Sequence, residues 1–448
     1  MSVSEHESNP VAARPDDEPA GEQAPTPIPL LTLRDGLSAV IETDEALIEV
    51  AKRFAAGTGP VAVDAERASG FRYSARAYLI QLRREGSGTA LIDPIPLTTL
   101  APLAEALEGT EWILHAATQD LACLAEVGLH PTSLFDTELA GRLLGHPRVG
   151  LATLMETVLG FSMKKEHSAA DWSRRPLPES WLEYAALDVE MLLELREAMV
   201  AELAEAGKEE WARQEFEHLL GFEPAVRVDP WRRTSQLHKV RGRRGLAAVQ
   251  GLWEARNQIA ADRDVTPGRI LPDSAIIEAA IALPGDRTAL LATKGFHGRG
   301  AERYANRWVA ALQHALAIPE SDLPPRTLRG DGPPVPRAWA ERDPVAARRL
   351  AHAREAMAAL GEERHIPVEN LLTPDYLRRL LWAPPRTRKL DELPDAIGDL
   401  LASYGARPWQ IDLVAPLLAE AVLEGDKPVP VADDLSVDDA TEPEPGCE

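Results

Sequence analysis

Four acidic residues and one tyrosine have the types and spacings of a site that binds metal ions. Asp64 and Glu66 are two residues apart at the end of an apolar strand, so both carboxylates project from the same face. Asp120 follows where a later strand turns into a helix. Tyr184 and Asp188 are four residues apart, which stacks them on one helix face. Like charges side by side repel unless a cation holds them together, and hard oxygen ligands suit Mg²⁺ or Mn²⁺ better than zinc.

Hydrolysis of a phosphodiester is the chemistry that such a set of side chains serves. Two divalent ions about 3.5–4 Å apart stabilise the attacking and the leaving oxygen together, and a tyrosine hydroxyl beside them can orient the attacking water. A lone Asp-x-Glu is more often the solvated start of a loop than a pair of ligands. Because Asp120, Tyr184 and Asp188 follow it in order beside apolar runs, the sequence favours a site for two divalent metal ions, Mg²⁺ or Mn²⁺.

Strands and helices alternate around these residues. The apolar runs that predict strands are 61–63, 77–82, 90–94 and 112–115. Helical periodicity dominates from 136 to 220, and early strands followed by helices predict a mixed sheet with helices packed on it. His115, at the end of the fourth strand, is interpreted as a hydrogen-bonded core residue in preference to a metal ligand. Asp136 is interpreted as a helix N-cap.

The composition divides the chain of 448 residues into three domains, one linker and two tails. The predicted segments are an acidic tail at 1–28, a mixed α/β domain at 29–222, an all-helical domain at 230–316, a Pro-rich linker at 317–336, a second helical domain at 337–425 and an acidic tail at 426–448. The tails lack hydrophobic periodicity, so we expect them to be disordered.

The two helical domains are related by an internal repeat. Residues 254–271 align with 355–372 at a constant offset of 101 residues, with Glu254-Ala255 matching Glu355-Ala356. Two copies of one helical module are the simplest interpretation. The second copy has diverged, and its basic character is weaker.

The charge distribution changes what the net charge of −23 implies. A strongly acidic protein is a poor partner for nucleic acid, but about half of the negative charge lies in the two tails. Residues 230–316 carry more Lys and Arg than Asp and Glu. A basic region within an acidic chain is an electrostatic footprint for phosphate.

Several classes of protein are disfavoured. Cys123 and Cys447 are the two cysteines, which excludes a disulfide framework and a Cys-rich zinc site and predicts a reducing cytoplasm. No run approaches the roughly 18 apolar residues of a membrane span, and we expect no secretory signal. The sequence has no Gly-rich phosphate loop, so ATP use is not expected. The oligomeric state stays open.

The motifs resemble the tyrosine subclass of the DEDD exonuclease superfamily, and within it the ribonuclease D family. The residues that carry the resemblance are Asp64-Ala65-Glu66, Asp120, the stretch Asp171-Trp172-Ser173-Arg174-Arg175-Pro176-Leu177, and Tyr184-Ala185-Ala186-Leu187-Asp188. The repeated module resembles the HRDC domain, a helical unit that binds nucleic acid. The resemblance implies a ribonuclease H-like exonuclease domain followed by one or two HRDC-type domains.

The resemblance also assigns roles. It implies that Asp64, Glu66, Asp120 and Asp188 are metal ligands and that Tyr184 positions the attacking water. It implies stepwise 3′→5′ release of nucleoside 5′-monophosphates from RNA 3′ ends, with transfer-RNA precursors or other structured RNAs as substrates. Two alternatives remain: a DNA 3′→5′ exonuclease, which uses the same ligands, and a non-catalytic RNA-binding scaffold.

Ten residues are candidates for contact with RNA, each with a structural alternative. They are Phe71, Tyr73, Gln81, Arg174, Arg175, Arg241, Arg243, Arg244, Lys294 and Arg299. The two aromatic residues can stack on a base or pack in the core. Arg174 and Arg175 can bind phosphate or brace the fold, and Gln81 can contact substrate or form a hydrogen bond at a strand end. The basic residues from Arg241 onward can bind the RNA backbone or form a solvated face.

Overall fold

The computed structural model describes residues 28–164, 170–328, 330 and 332–428. Most of the two tails predicted at 1–28 and 426–448 therefore lies outside the described residues. Within the described ranges, no helix combines the length and the apolar character that crossing a membrane requires.

A mixed sheet of six strands forms the centre of the N-terminal domain. The strands are β1 (Val40–Ile41), β2 (Thr58–Arg67), β3 (Ala77–Glu85), β4 (Gly88–Ile92), β5 (Glu111–Leu114) and β6 (Ser133–Asp136). They lie in the order β1-β4-β3-β2-β5-β6; β3 is antiparallel to β2 and β4, and the other neighbours are parallel. The expected mixed sheet is confirmed, and the four predicted strands correspond to β2 to β5.

Helices cover this sheet and place the second half of the acidic motif. They are α1 (Asp44–Ala55), α2 (Ala101–Ala106), α3 (Leu121–Glu126), α4 (Thr137–Leu144), α5 (Leu151–Leu159), α6 (Glu179–Glu190), α7 (Leu192–Glu205) and α8 (Glu209–Leu220). Helix α6 packs on β2, β3 and β4. Its end is anchored by the buried Glu190, whose carboxylate lies 3.2 Å from the guanidinium of Arg83 on β3. This anchor fixes the rotation of α6 above the sheet.

The first helical domain has a hydrophobic core of its own. Its helices are α9 (Arg243–Arg263), α10 (Pro267–Ile270), α11 (Asp273–Ala282), α12 (Arg287–Ala292), α13 (Arg299–Arg303) and α14 (Ala305–Ala317). Trp231, Phe296 and Trp308 are buried at its centre. Leu323 is buried in the same core, so the packing of this domain continues past residue 316, where the sequence placed the start of the linker.

The second helical domain repeats the first. Its helices are α15 (Trp339–Arg342), α16 (Pro344–Arg364), α17 (Val368–Leu371), α18 (Pro374–Trp382), α19 (Leu393–Tyr404) and α20 (Pro408–Asp426). Helices α9 and α16 each contain 21 residues, and α10 and α17 each contain 4. Both long helices end at a residue with a left-handed backbone, Asp264 and His365. These equal helix lengths and matching turns agree with the internal repeat predicted from the sequence.

The second helical domain and the N-terminal domain share one hydrophobic core. The carboxylate of the buried Glu215 on α8 accepts hydrogen bonds from Arg407 Nε at 2.7 Å and from Trp409 Nε1 at 2.8 Å. The rings of Trp409 and Trp211 stack with centroids 5.0 Å apart. The two domains are therefore joined by apolar burial and by one buried carboxylate.

The turn of the second repeat docks on the same domain. Lys208 Nζ donates to the carbonyl of Arg364 at 2.7 Å. Gly145 has a positive φ of 83°, and a Cβ atom there would lie 2.5 Å from the carbonyl oxygen of His365. Glycine is required at this position for both its backbone angle and the close approach.

We expect Glu215→Ala to lower the free energy of unfolding by about 3 kcal/mol, because it leaves a half-buried guanidinium and a buried indole N–H without this partner. Denaturant unfolding of the full chain measures this change. Glu217→Ala is the matched control: Glu217 is exposed on the same helix and pairs with Arg213 at 3.0 Å, so its loss should cost less than about 1 kcal/mol. Equal effects of the two variants would show that the buried carboxylate does not join the domains.

Candidate active site

Strand β2 and helix α6 bring three carboxylates together. Asp64 and Glu66 project from one face of β2, and Asp188 projects from α6, which packs on that sheet. One ligand atom of each residue lies within 4.8 Å of the others. The hydroxyl of Tyr184, one helical turn before Asp188, donates a hydrogen bond to its carboxylate. These residues line a cleft of about 490 Å³.

Asp120 faces the same cleft from a third element. It is the N-cap of α3, in a tight turn after β5, and its carboxylate lies 3.9 Å from the guanidinium of Arg67. Asp120 is not one of the three carboxylates whose ligand atoms lie within 4.8 Å of one another. The four carboxylates predicted from the sequence thus line one cleft, three in a tight group and one beside it.

Asp136 holds the turn that leads to Asp120. Its carboxylate accepts hydrogen bonds from the backbone N–H of Ala116 at 3.1 Å and of Ala117 at 2.9 Å. The same carboxylate caps α4 by accepting from the N–H of Glu138 at 2.9 Å. The N-cap interpretation is confirmed, and the residue has a second role in supporting the turn.

Burial raises the pKa of all four carboxylates in the cleft, and like charges nearby add to the rise for three of them. Burial raises the pKa of Asp64 to about 6. Burial, and then the neighbouring charges of Asp64, Asp188 and Asp120, raise that of Glu66 to about 10. Burial and the charge of Asp64 raise the pKa of Asp120 to about 8 and place that of Asp188 well above its usual value. A group of oxygen ligands that repel one another fits a divalent cation, because the cation offsets the repulsion.

His115 lies beside the cleft as a neutral, hydrogen-bonded side chain. Its Nδ1 is 2.9 Å from the hydroxyl of Thr137. Burial lowers the pKa of its imidazole to about 4. The preference for a hydrogen-bonded histidine over a metal ligand agrees with this geometry.

The two arginines of the Asp-Trp-Ser-Arg-Arg stretch have different environments. Arg175 forms an ion pair with the buried Asp93 and donates to the carbonyls of Tyr78 at 2.7 Å and Trp172 at 2.8 Å. These contacts make Arg175 a brace of the fold. Arg174 is exposed, and its contact with RNA stays a prediction.

The position of Gln81 contradicts both roles that the sequence analysis offered for it. It lies in the middle of β3 opposite Asp64 and is fully buried, with 0% of its surface exposed. No described residue forms a hydrogen bond with its side-chain amide. In this structure RNA cannot reach the side chain, and the alternative of a hydrogen bond at a strand end is also wrong.

The two aromatic candidates meet the first helical domain. Phe71 lines the cleft, and the guanidinium carbon of Arg269 lies 4.6 Å from the centroid of its ring. Tyr73 is 39% exposed, and its hydroxyl accepts a hydrogen bond from Asn257 Nδ2 at 2.8 Å. Tyr73 is therefore not a core residue, and it forms a contact between the two domains.

Two of the five basic candidates in the first helical domain, Arg243 and Arg244, are bound to backbone carbonyls. Arg243 donates to the carbonyls of residues 323 and 324, and Arg244 donates to those of residues 315, 316 and 318. Both arginines therefore hold the end of the domain in place, and a primary role in RNA binding is not supported. Arg241 and Lys294 are exposed. The side chain of Arg299 lies outside what the structure describes.

Two residues near the cleft were missed from the sequence. Arg67 directly follows the Asp-x-Glu motif, so its place on the same strand was a usable signal. Arg269 had no such signal, because it reaches the cleft from another domain.

Three protein-family models match successive parts of the chain. A model described as a 3′-5′ exonuclease matches residues 39–204, and the HRDC domain matches 245–312. The second helical domain is matched over 332–422 by a model described as a 3′ to 5′ exonuclease C-terminal domain.

Individual proteins and structures agree with these matches. Ribonuclease D of Jannaschia sp. is 33% identical over 304 residues, which cover 64% of this chain and 76% of that protein. A crystal structure of a protein from Bifidobacterium adolescentis is 37% identical and has a TM-score of 0.79, covering 89% of this chain and 99% of that one. The crystal structure of Escherichia coli RNase D is 27% identical, with a TM-score of 0.61 and coverage of 82% and 99%. The chain therefore belongs to the ribonuclease D family of 3′–5′ exoribonucleases.

Proposed function

We propose that the chain trims the 3′ ends of structured RNA, with Asp64, Glu66, Asp120 and Asp188 as ligands of two divalent ions. The observation that carries this proposal is the group of three half-buried carboxylates within 4.8 Å of one another, with the buried Asp120 beside it. When bound, the ions would offset the charge of the carboxylates and stabilise the attacking and leaving oxygens of the phosphodiester. Mg²⁺ and Mn²⁺ both suit these oxygen ligands.

Tyr184 acts in the proposal as a neutral hydroxyl. Burial and the charges of Asp188, Glu66 and Asp64 raise its pKa above the ordinary value, so the phenol keeps its proton at every working pH. A protonated phenol can accept a hydrogen bond from the attacking water while it donates its own proton to Asp188. Its role is to orient the water.

The class of RNA is proposed from the relatives. The structure of Escherichia coli RNase D is described as that of an exoribonuclease involved in structured RNA processing. We carry structured RNA to this chain as the substrate class, with transfer-RNA 3′ ends as one example. We also propose that it works in the cytoplasm, on account of its low cysteine content.

Replacing Tyr184 by phenylalanine should lower kcat by about 100-fold and leave KM nearly unchanged, because only the orienting hydroxyl is lost. Steady-state digestion of a 5′-labelled RNA measures both constants. Tyr376→Phe, in the second helical domain, is the control. A kcat close to that of the unsubstituted chain would remove Tyr184 from the mechanism.

The proposed function is tested on a 5′-labelled RNA hairpin with a single-stranded 3′ tail, beside a DNA hairpin of the same sequence. We expect a ladder that shortens from the 3′ end of the RNA in Mg²⁺ or Mn²⁺ and not in EDTA. Faster digestion of the DNA would favour the DNA exonuclease. RNA binding without cleavage in either metal would favour the non-catalytic scaffold.

A further inference from the structure

The HRDC domain is docked against the loop that follows β2. The carboxylate of Asp264 accepts hydrogen bonds from the backbone N–H groups of Tyr73 at 3.2 Å and Ser74 at 2.9 Å. The N–H of Thr266 donates to the carbonyl of Phe71 at 3.1 Å. The turn between α9 and α10 is thereby held against a loop whose earlier residues line the active-site cleft.

This docking carries a side chain of the HRDC domain to the edge of the cleft. Arg269, on α10, is exposed, and its guanidinium carbon lies 4.6 Å from the centroid of the Phe71 ring. The same ring lines the cleft together with Asp64 and Glu66. A cation from one domain thus contacts an aromatic residue that lines the acidic cleft of another.

The guanidinium of Arg269 keeps its hydrogen-bonding capacity. An aromatic ring below a guanidinium contacts its face, whereas its five N–H donors point outward in the plane. Among the residues that the structure describes, none forms a hydrogen bond or an ion pair with Arg269. Arg243 and Arg244 differ in this respect, because their donors are bound to backbone carbonyls.

An RNA strand that enters this cleft brings one phosphate charge per nucleotide to a site that is already acidic. A cation at the rim offsets that repulsion, and the planar fork of arginine matches the oxygens of a phosphate. We propose that Arg269 binds a phosphate of the RNA strand upstream of its 3′-terminal nucleotide, with Phe71 holding the guanidinium in place. This inference rests on the proposed function and adds a substrate-binding residue that the HRDC domain supplies to the exonuclease site.

The competing explanation is that Arg269 only joins the two domains. Asp264 and Thr266 already join them through backbone hydrogen bonds, so a further contact of this kind is not required. The two explanations differ in what they predict: a domain contact affects thermal unfolding, whereas a phosphate ligand affects KM and its dependence on salt.

The test compares Arg269→Gln with Arg287→Gln in the full chain. Arg287 is an exposed arginine of the same domain, so the control removes the same charge. On a 5′-labelled single-stranded oligoadenylate, we expect Arg269→Gln to raise KM about tenfold and to change kcat by less than about twofold. The slope of log KM against log salt should fall by about 0.7 for one lost phosphate contact. Arg269→Lys should recover part of the affinity, because it keeps the charge and loses the fork.

A KM and salt slope for Arg269→Gln equal to those of Arg287→Gln would overturn the inference, whatever happens to the melting temperature. The proposed function fails separately, if the unsubstituted chain does not shorten the oligonucleotide at all. In that case the role of Arg269 is tested by the fluorescence anisotropy of the same oligonucleotide in EDTA, which measures binding. Weaker binding by Arg269→Gln than by Arg287→Gln supports the contact, and equal binding overturns it.

Discussion

Asparagine in place of Asp64 is expected to lower the rate of RNA digestion by about 1000-fold or more, because the amide keeps the shape of the side chain but not the charge that a cation needs. Asp64 lies near the centre of the strand that carries Glu66, and its ligand atom lies within 4.8 Å of those of Glu66 and Asp188. No other described carboxylate is placed to replace it. The assay is the shortening of the 5′-labelled RNA hairpin under single-turnover conditions.

The same substitution should stabilise the protein in the absence of metal. Because burial raises the pKa of Asp64 to about 6, the ionised carboxylate costs folding free energy above that pH. The variant should gain about 2 kcal/mol at mildly alkaline pH in EDTA. Glu183→Gln, an exposed acid on α6, is the control for both readouts. A variant that loses activity and also unfolds more easily would indicate damage to the fold and would contradict the electrostatic account.

Removal of divalent metal should abolish activity, and its return should raise the melting temperature more at about pH 8 than at about pH 6. Protons compete with the cation for the carboxylates, since the pKa values of Glu66 and Asp120 are raised to about 10 and about 8. Activity should likewise climb from acid to mildly alkaline conditions. Thermal unfolding in EDTA and in Mn²⁺ at the two pH values measures the effect, and Asp188→Asn should lose most of the shift.

Without metal, the stability of the folded chain should depend on pH in the opposite direction. Between the unfolded pKa values near 4 and the raised folded values, the folded state binds more protons than the unfolded state. Its stability in EDTA should therefore fall as the pH rises through that window. A metal-induced shift that is the same at both pH values would contradict the assignment of the cation to these carboxylates.

The parts of the site that lie on one element were predictable from spacing alone. Asp64 and Glu66 share a strand face, and Tyr184 and Asp188 share a helix face, because the periods of strand and helix fix these relations. The strands that carry long apolar runs were predicted as well. Strands β1 and β6 were not predicted, since β1 has only two residues and β6 has only two apolar residues, Leu134 and Phe135, and the pairing of both depends on neighbours distant in sequence.

The spacing of residues in the sequence does not predict which group a charged side chain contacts in the fold. Arg243 and Arg244 have the composition of a phosphate-binding run, yet their donors are bound to carbonyls about 70 to 80 residues further along the chain. Arg269 shows the converse, because it has no basic neighbours in sequence and comes to the cleft through docking between domains. Gln81 was misjudged for the same reason: its burial depends on α6, which follows it by about 100 residues.

Helices α9 and α16 each end at a residue with a left-handed backbone, and the turn at that residue has different contacts in the two repeats. In the first repeat that turn touches a loop at the mouth of the cleft, and the domain behind it keeps a separate core. In the second repeat the turn meets Gly145 and Lys208, and the domain behind it is continuous with the core of the catalytic sheet. Changes in the first repeat should therefore alter the mouth of the cleft, whereas changes in the second should alter the stability of the catalytic domain.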